Sequence, residues 1–238
     1  MIYFLTSSPC VIDSPALNPV NGFVDELRKA LPGPCTALFI ASDPDNPERI
    51  YRFYNNMPGS FAEIGIPFTQ ADVLLRENQD RCGELIANAD VIFLCGGHVP
   101  TQNRFFQDIA LRERLADWDG VIVGVSAGSM NAADVVYAQP EEPGEAVDPG
   151  FRRWLPGLGL TRHMILPHYQ KEKDGWLDGM RLYEDITYPD SAGNRFYAMV
   201  DGTYLLGRDG REELRGEAYL IRDGVLTQIS REGDVIPL

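Results

Sequence analysis

The stretch "GVIVGVSAGSMNAADVVYA", residues 120–138, decides how the rest of the chain is read. "GVIVGV" is apolar and mostly β-branched, the pattern of a strand buried on both faces as in a parallel sheet. It runs through Gly124-Val125-Ser126-Ala127-Gly128 into a helix-like segment. Strand, tight turn and helix make the setting in which a Gly-x-Ser-x-Gly turn presents a serine as a nucleophile. Small neighbours let the backbone reverse beside the serine and leave Oγ exposed. The helix start adds unpaired N–H groups and the positive end of a dipole, both of which favour a developing oxyanion. A serine helix cap between residues kept small for packing reads the same way, so the neighbouring segments must decide.

Moving outward, "IYFLT" (2–6), "TALFIA" (36–41) and "DVIFLC" (90–95) repeat the buried-strand pattern. Segments with helical spacing lie between them: Phe23, Leu27 and Leu31; 47–64; 85–89; and 105–115. "IGIPFTQADVLL" (64–75) holds a further strand. Alternation on this scale predicts βαβ units, hence a doubly wound, mostly parallel sheet with helices on both faces. The last third changes character. Asp-Gly pairs at 201–202, 209–210 and 223–224 punctuate β-like runs, the pattern of antiparallel hairpins added to the parallel sheet. No linker or repeat interrupts the chain, and one α/β domain over residues 1–238 is the expectation. "AQPEEPGEAVDPG" (138–150) is the one long polar loop.

Two further segments bear on Ser126. "LCGGHVPTQNRFF" (94–106) also follows a strand and precedes a helix. Its Gly96-Gly97 pair places bare backbone at the carboxyl end of a strand, the edge where open α/β sheets bind ligands. Acyl transfer needs two N–H donors aimed at the tetrahedral oxyanion. Ala127 offers one, and Gly97 or His98 the other. A plain glycine turn is the competing reading. The chain has three histidines, His98, His163 and His168. In "HMILPHYQ" the last follows a short strand and is the candidate general base toward Ser126. The spacing of His163 and His168 puts them on opposite faces of that strand, against a joint metal site. A base of this kind needs a carboxylate behind its far nitrogen, and Glu141, Glu142 and Asp148 of the polar loop are the supply.

Composition limits the alternatives. Lys plus Arg is 21 against 35 for Asp plus Glu, a net charge of -14, which argues against nucleic acid and anionic lipid partners. The four cysteines are scattered with no Cys-x-x-Cys pair, so free thiols in a cytoplasmic protein are expected, with no metal and no cofactor. The N-terminus lacks the pattern of a signal peptide, and no apolar run reaches membrane-spanning length. Self-association as a homodimer is left open by the sequence.

Gly96-Gly97-His98, Ser126-Ala127-Gly128 and Pro167-His168, in this order, resemble the peptidase E family of serine hydrolases, whose relatives include α-aspartyl dipeptidase and cyanophycinase. The resemblance implies a class I glutamine amidotransferase-like fold and hydrolysis of small peptides, aspartyl dipeptides among them, through an acyl-enzyme. It implies Ser126 as nucleophile, His168 as base, and Gly97 and Ala127 as the oxyanion hole. His98 stands where the family has Asn and is assigned to substrate binding. Glutamine amidotransferase-type sites carry Cys at the elbow and Glu two residues after the His, where this chain has Ser126 and Gln170. The family acid, about fifteen residues beyond the serine, falls on Glu141. An acidic substrate would need a cation from among Arg104, Arg152, Arg153, Arg162 and Arg181. The rival readings are a non-catalytic ligand-binding protein on the same scaffold and, more remotely, a thiol enzyme using Cys95.

Overall fold

Side chains in the apolar runs sort alternately to two faces, because successive residues of a strand point in opposite directions. In the strand β1 (Ile2–Thr6), Phe4 joins one core cluster and Leu5 the other. The strands β2 (Cys35–Ile40), β3 (Phe68–Leu74), β4 (Val91–Leu94) and β5 (Val121–Val125) divide likewise. Phe39 and Phe93 stack at 4.4 Å on the face covered by the helices α1 (Phe23–Ala30) and α2 (Pro47–Glu63). Leu38, Ile40, Ile92, Leu94 and Ile122 pack on the other face. There the helices α3 (Cys82–Ala87), α4 (Val99–Asp108) and α5 (Leu111–Leu115) supply Leu85, Phe105, Phe106 and Leu111. The computed structural model describes residues 1–238, the side chain of Arg49 excepted.

The central sheet has eight strands. Its order runs from Val235–Pro237 through Arg211–Arg215 and Tyr204–Arg208 to β1, β5, β4, β2 and β3. The five strands from β1 to β3 pair in parallel, and the pairings from Tyr204–Arg208 outward are antiparallel. The expected α/β sheet with antiparallel additions is present, and Asp209-Gly210 and Asp223-Gly224 each turn a hairpin.

The last third differs from the sequence reading in one respect. Met164–Leu166, Arg195–Met199, Ala218–Arg222 and Val225–Ser230 form a separate four-stranded sheet. Asp201-Gly202 therefore turns no hairpin: it links Arg195–Met199 of this second sheet to Tyr204–Arg208 of the first. The helix expected over 105–115 is divided between α4 and α5, because Ala110 takes the left-handed region at φ 48°. A third core cluster, including Met130, Tyr137, Tyr169, Tyr183 and Phe196, fills the space between the second sheet and the turn after β5. Among the described residues, no helix is long and apolar enough to cross a membrane.

Candidate active site

Ser126 sits between β5 and the helix α6 (Ala127–Asn131) with φ 50° and ψ −112°. A non-glycine residue held in this sparsely populated region costs about 1–3 kcal/mol. The surroundings fix it. The Ser126 N–H donates to the Thr6 carbonyl at 3.1 Å. The Ser129 hydroxyl donates to the same carbonyl at 2.8 Å. A Cβ on Gly128 would lie 2.0 Å from the Leu94 carbonyl oxygen, and one on Gly124 would lie 2.8 Å from Ser129 Oγ. Both glycines are thus demanded by close approach, which lets α6 start directly over β4 and β5.

His168 follows Met164–Leu166 of the second sheet, not a strand of the first, and takes φ 57° at the start of the short helix α7 (Tyr169–Glu172). Its Nε2 lies 3.0 Å from Ser126 Oγ. Its Nδ1 lies 2.6 Å from Oδ1 of Asp201, which follows the adjacent parallel strand Arg195–Met199. An ionised carboxylate only accepts, so Nδ1–H donates to Asp201 and Nε2 accepts from the serine hydroxyl. Two sheets meet at this point, and each contributes strand ends to one row of three side chains.

Asp201 is 5% exposed, and its environment keeps it ionised. Burial alone pushes the Asp201 carboxyl up, but the hydrogen bonds from His168, Lys171 and the Ser7 hydroxyl outweigh it. The carboxyl is held well below the usual carboxylate range. Lys171 Nζ lies 2.7 Å from Oδ2. The Ser7 hydroxyl, just past β1, donates to Oδ1 at 2.9 Å and accepts from the His168 N–H at 2.8 Å. Gln170 Oε1 accepts from the Asp201 N–H at 3.1 Å. Ser7, Lys171 and Asp201 carried no signal in the sequence beyond polar residues near strand ends.

Glu141, the acid expected behind His168, stands elsewhere. Its Oε1 accepts from the Val99 N–H at 3.0 Å, at the first turn of α4. A carboxylate is favoured there because the first N–H groups of a helix lack partners and the dipole is positive. Glu145 accepts from the Glu141 and Glu142 N–H groups at 3.0 Å through Oε2. Asp178 accepts from the Gly144 and Ala146 N–H groups. Asp148 caps the Gly150 N–H at 2.8 Å. These bonds fold the acidic loop into a flap whose carboxylates are held by backbone N–H groups.

His98 does not line the cavity beside Ser126. Its ring lies 2.7 Å from Thr101 Oγ1 and 2.8 Å from Glu145 Oε1, so it ties the flap to α4. His98, Glu142 and Glu145 bring three potential metal-ligand atoms within 4.8 Å of one another, but the Glu145 oxygens and His98 Nε2 already serve these bonds. His163 points to Glu212 at 3.1 Å, away from Ser126. The Cys95 thiol is buried, and burial pushes its pKa up, so it offers no ready thiolate.

A cavity of about 270 Å³ opens beside this row. Ser126, Ala127, Gly97 and His168 line it together, with Glu141 of the flap and Trp176 of the following hairpin. The backbone on both sides of the serine, from the ends of β4 and β5, therefore faces the same space as its hydroxyl.

Comparison with known proteins bears on the fold and the family. The sequence pattern of peptidase family S51 matches residues 4–214. A peptidase from an acI-B1 Actinobacterium is similar in structure, with a TM-score of 0.66 at 18% identity, covering 100% of this chain and 96% of that one. A candidate peptidase E protein from Listeria monocytogenes EGD-e gives a TM-score of 0.61 at 14% identity, covering 96% of this chain and 98% of that one. No curated protein sequence matches the chain. A family pattern spanning most of the chain, on a fold shared with these peptidases, places the protein in peptidase family S51, as a serine-type peptidase.

Proposed function

We propose that the protein hydrolyses small peptides through an acyl-enzyme, with Ser126 as nucleophile, His168 as general base and Asp201 as the acid behind it. The observation that carries this reading is the unbroken row Ser126 Oγ, His168 Nε2 at 3.0 Å, His168 Nδ1 and Asp201 Oδ1 at 2.6 Å. Asp201 takes the role that the sequence assigned to Glu141, because it reaches the imidazole and Glu141 is turned to the α4 N-terminus.

In the first half-reaction His168 Nε2 accepts the Ser126 proton as Oγ bonds to the scissile carbonyl carbon. The carbonyl electrons move onto oxygen, which the Ala127 and Gly97 N–H groups receive. The intermediate collapses, the C–N bond breaks, and His168 gives its proton to the leaving amine. Water then attacks the acyl carbon while His168 takes a proton, and the ester bond to Oγ breaks as that proton returns to serine. Asp201 stays ionised throughout and holds the imidazolium against the serine.

A non-catalytic ligand-binding protein on this scaffold would have no need of a carboxylate behind His168, and Asp201 stands there. Hydrolysis of a dipeptide and tripeptide panel by wild type and Ser126→Ala tests the reading. The variant is expected to lose about 10^6-fold in turnover while remaining folded. Retained turnover would overturn it.

A further inference from the structure

We propose that Gln139 binds the substrate: its side-chain carbonyl accepts a hydrogen bond from the α-N–H of the residue whose carbonyl Ser126 attacks. This rests on the reading of Ser126, His168 and Asp201 as the reacting groups, and names the group that orients the substrate beside them.

Gln139 follows the short strand Val135–Tyr137 and lines the same cavity as Ser126, Ala127, Gly97 and His168. Its Nε2 donates to Thr187 Oγ1 at 2.6 Å. Thr187 is buried, and its own hydroxyl donates to the Leu182 carbonyl at 2.8 Å. A hydroxyl has a single proton to give, so toward Gln139 it can only accept. That fixes which way round the amide sits, with its nitrogen toward Thr187 and its oxygen away from it. Among the described residues none donates to Gln139 Oε1, and this oxygen is not buried. The Tyr183 hydroxyl, which interacts with the Gln139 side chain, is buried and makes no hydrogen bond, so it does not claim the oxygen.

An accessible carbonyl fixed at the wall of a ligand cavity is one of the few polar groups by which such sites set orientation. Peptides supply N–H donors at fixed places. The scissile N–H leaves with the amine, whereas the α-N–H of the residue carrying the scissile carbonyl stays on the acyl-enzyme. A donor so close to the reacting carbon suits a cavity of about 270 Å³, at the small end for ligand sites, in which Gln139 and Ser126 line one space. A hydrogen bond kept through both half-reactions holds the acyl carbon against Ser126 Oγ and its oxygen against the Ala127 and Gly97 N–H groups. Thr187, behind Gln139, is a positioning residue.

Two pairs of p-nitrophenyl esters, in which oxygen replaces the α-N–H at nearly unchanged size, test this on the intact protein. Nα-acetyl-alanine against O-acetyl-lactate tests an amide N–H, and N-methylalanine against 2-methoxypropanoate tests a free amine. The readout is kcat/KM for the N–H ester divided by that for its oxygen counterpart, compared between wild type and Gln139→Met. Substrate charge is common to both proteins, so a change in the ratio reports the hydrogen bond. In at least one pair the ratio is expected to be about tenfold higher in wild type, because the substituted oxygen faces the amide oxygen with no proton between them. A merely structural Gln139 would slow every ester alike and leave the ratio unmoved. Thr187→Val unpins the amide without altering the cavity wall and is expected to lower the ratio by less. Ratios unchanged in Gln139→Met for both pairs overturn the proposal, and a ratio that falls there but not in Thr187→Val overturns the role of Thr187 alone. Wild-type protein whose Ser126 takes a fluorophosphonate but which hydrolyses none of the esters also overturns the proposal. Protein that takes no label overturns the underlying reading instead.

Discussion

Asp201 Oδ1 lies 2.6 Å from His168 Nδ1, although 33 residues separate them along the chain. The pair forms because their strands, Arg195–Met199 and Met164–Leu166, are parallel neighbours whose ends reach the same point. Ser7 bridges the two by donating to the carboxylate and accepting from the histidine backbone. The pairing fixes the imidazole tautomer, and with it the direction in which the serine proton can move.

Replacing Asp201 with Asn keeps the shape but removes the acceptor that sets this tautomer. Asp201→Asn is expected to lower kcat by about 10^4 with a much smaller effect on KM. Glu141→Gln is expected to lose far less in kcat, its effect falling on KM. Steady-state kinetics on one cleaved peptide decides between the two carboxylates, and a larger kcat loss for Glu141→Gln would reverse the assignment.

Ser7→Ala leaves the half-buried His168 N–H without its acceptor, at a cost of about 1 kcal/mol, and removes a donor to the Asp201 carboxylate. A drop of roughly tenfold or more in kcat is expected, with the serine itself still present. A variant indistinguishable from wild type in both kcat and Tm would remove Ser7 from the account.

The charge on Asp201 has a consequence for acid stability. Its carboxyl is held below the ordinary range when folded, so the unfolded chain binds a proton first as pH falls. The stability it contributes is complete above the unfolded value of about 3.9 and is lost as pH falls toward the folded value. Lys171→Met removes one of the groups that lower it, so the folded value rises and less of that stabilisation remains at neutral pH. Denaturant titrations from pH 7 down to about pH 3 are expected to show a smaller acid-linked loss in the variant than in wild type. An equal or larger loss would contradict the ion pair.

Two glycine substitutions separate close packing from conformational freedom. Gly128→Ala places a methyl 2.0 Å from the Leu94 carbonyl oxygen, inside the turn that holds Ser126. It is expected to cost about 3 kcal/mol and to lower Tm by roughly 5–10 °C, with loss of activity. Gly59, within α2, has nothing within 4 Å of an added Cβ and no positive φ. Gly59→Ala is expected to raise stability by about 0.5–1 kcal/mol. Thermal unfolding of both variants measures the contrast.

The parts legible in sequence were those written in local grammar. The strand, small-residue turn and helix around Ser126 is a contiguous pattern, and so are Gly96-Gly97 and the short strand before His168. Asp201 was not legible, because Asp-Gly after a β-like run ordinarily signals a hairpin. Here the same dipeptide crosses between sheets, and only the tertiary arrangement turns its carboxylate to a histidine. The polar loop misled for a similar reason. Glu141 reads as the candidate acid in sequence, yet the Val99 N–H of α4 donates to its carboxylate, and N–H groups of the loop itself donate to Glu145. The break at Ala110 carries no glycine or proline, and residues on both sides of it, Phe105, Phe106, Leu111 and Leu115, pack into one core cluster.

The most direct measurement is the intact mass and peptide map of the protein after treatment with a fluorophosphonate. Activation of the serine by His168 is expected to give one adduct, on Ser126, absent from Ser126→Ala and much slower to form in His168→Ala. A folded wild-type protein that takes no adduct, or takes it on another residue, would contradict the account.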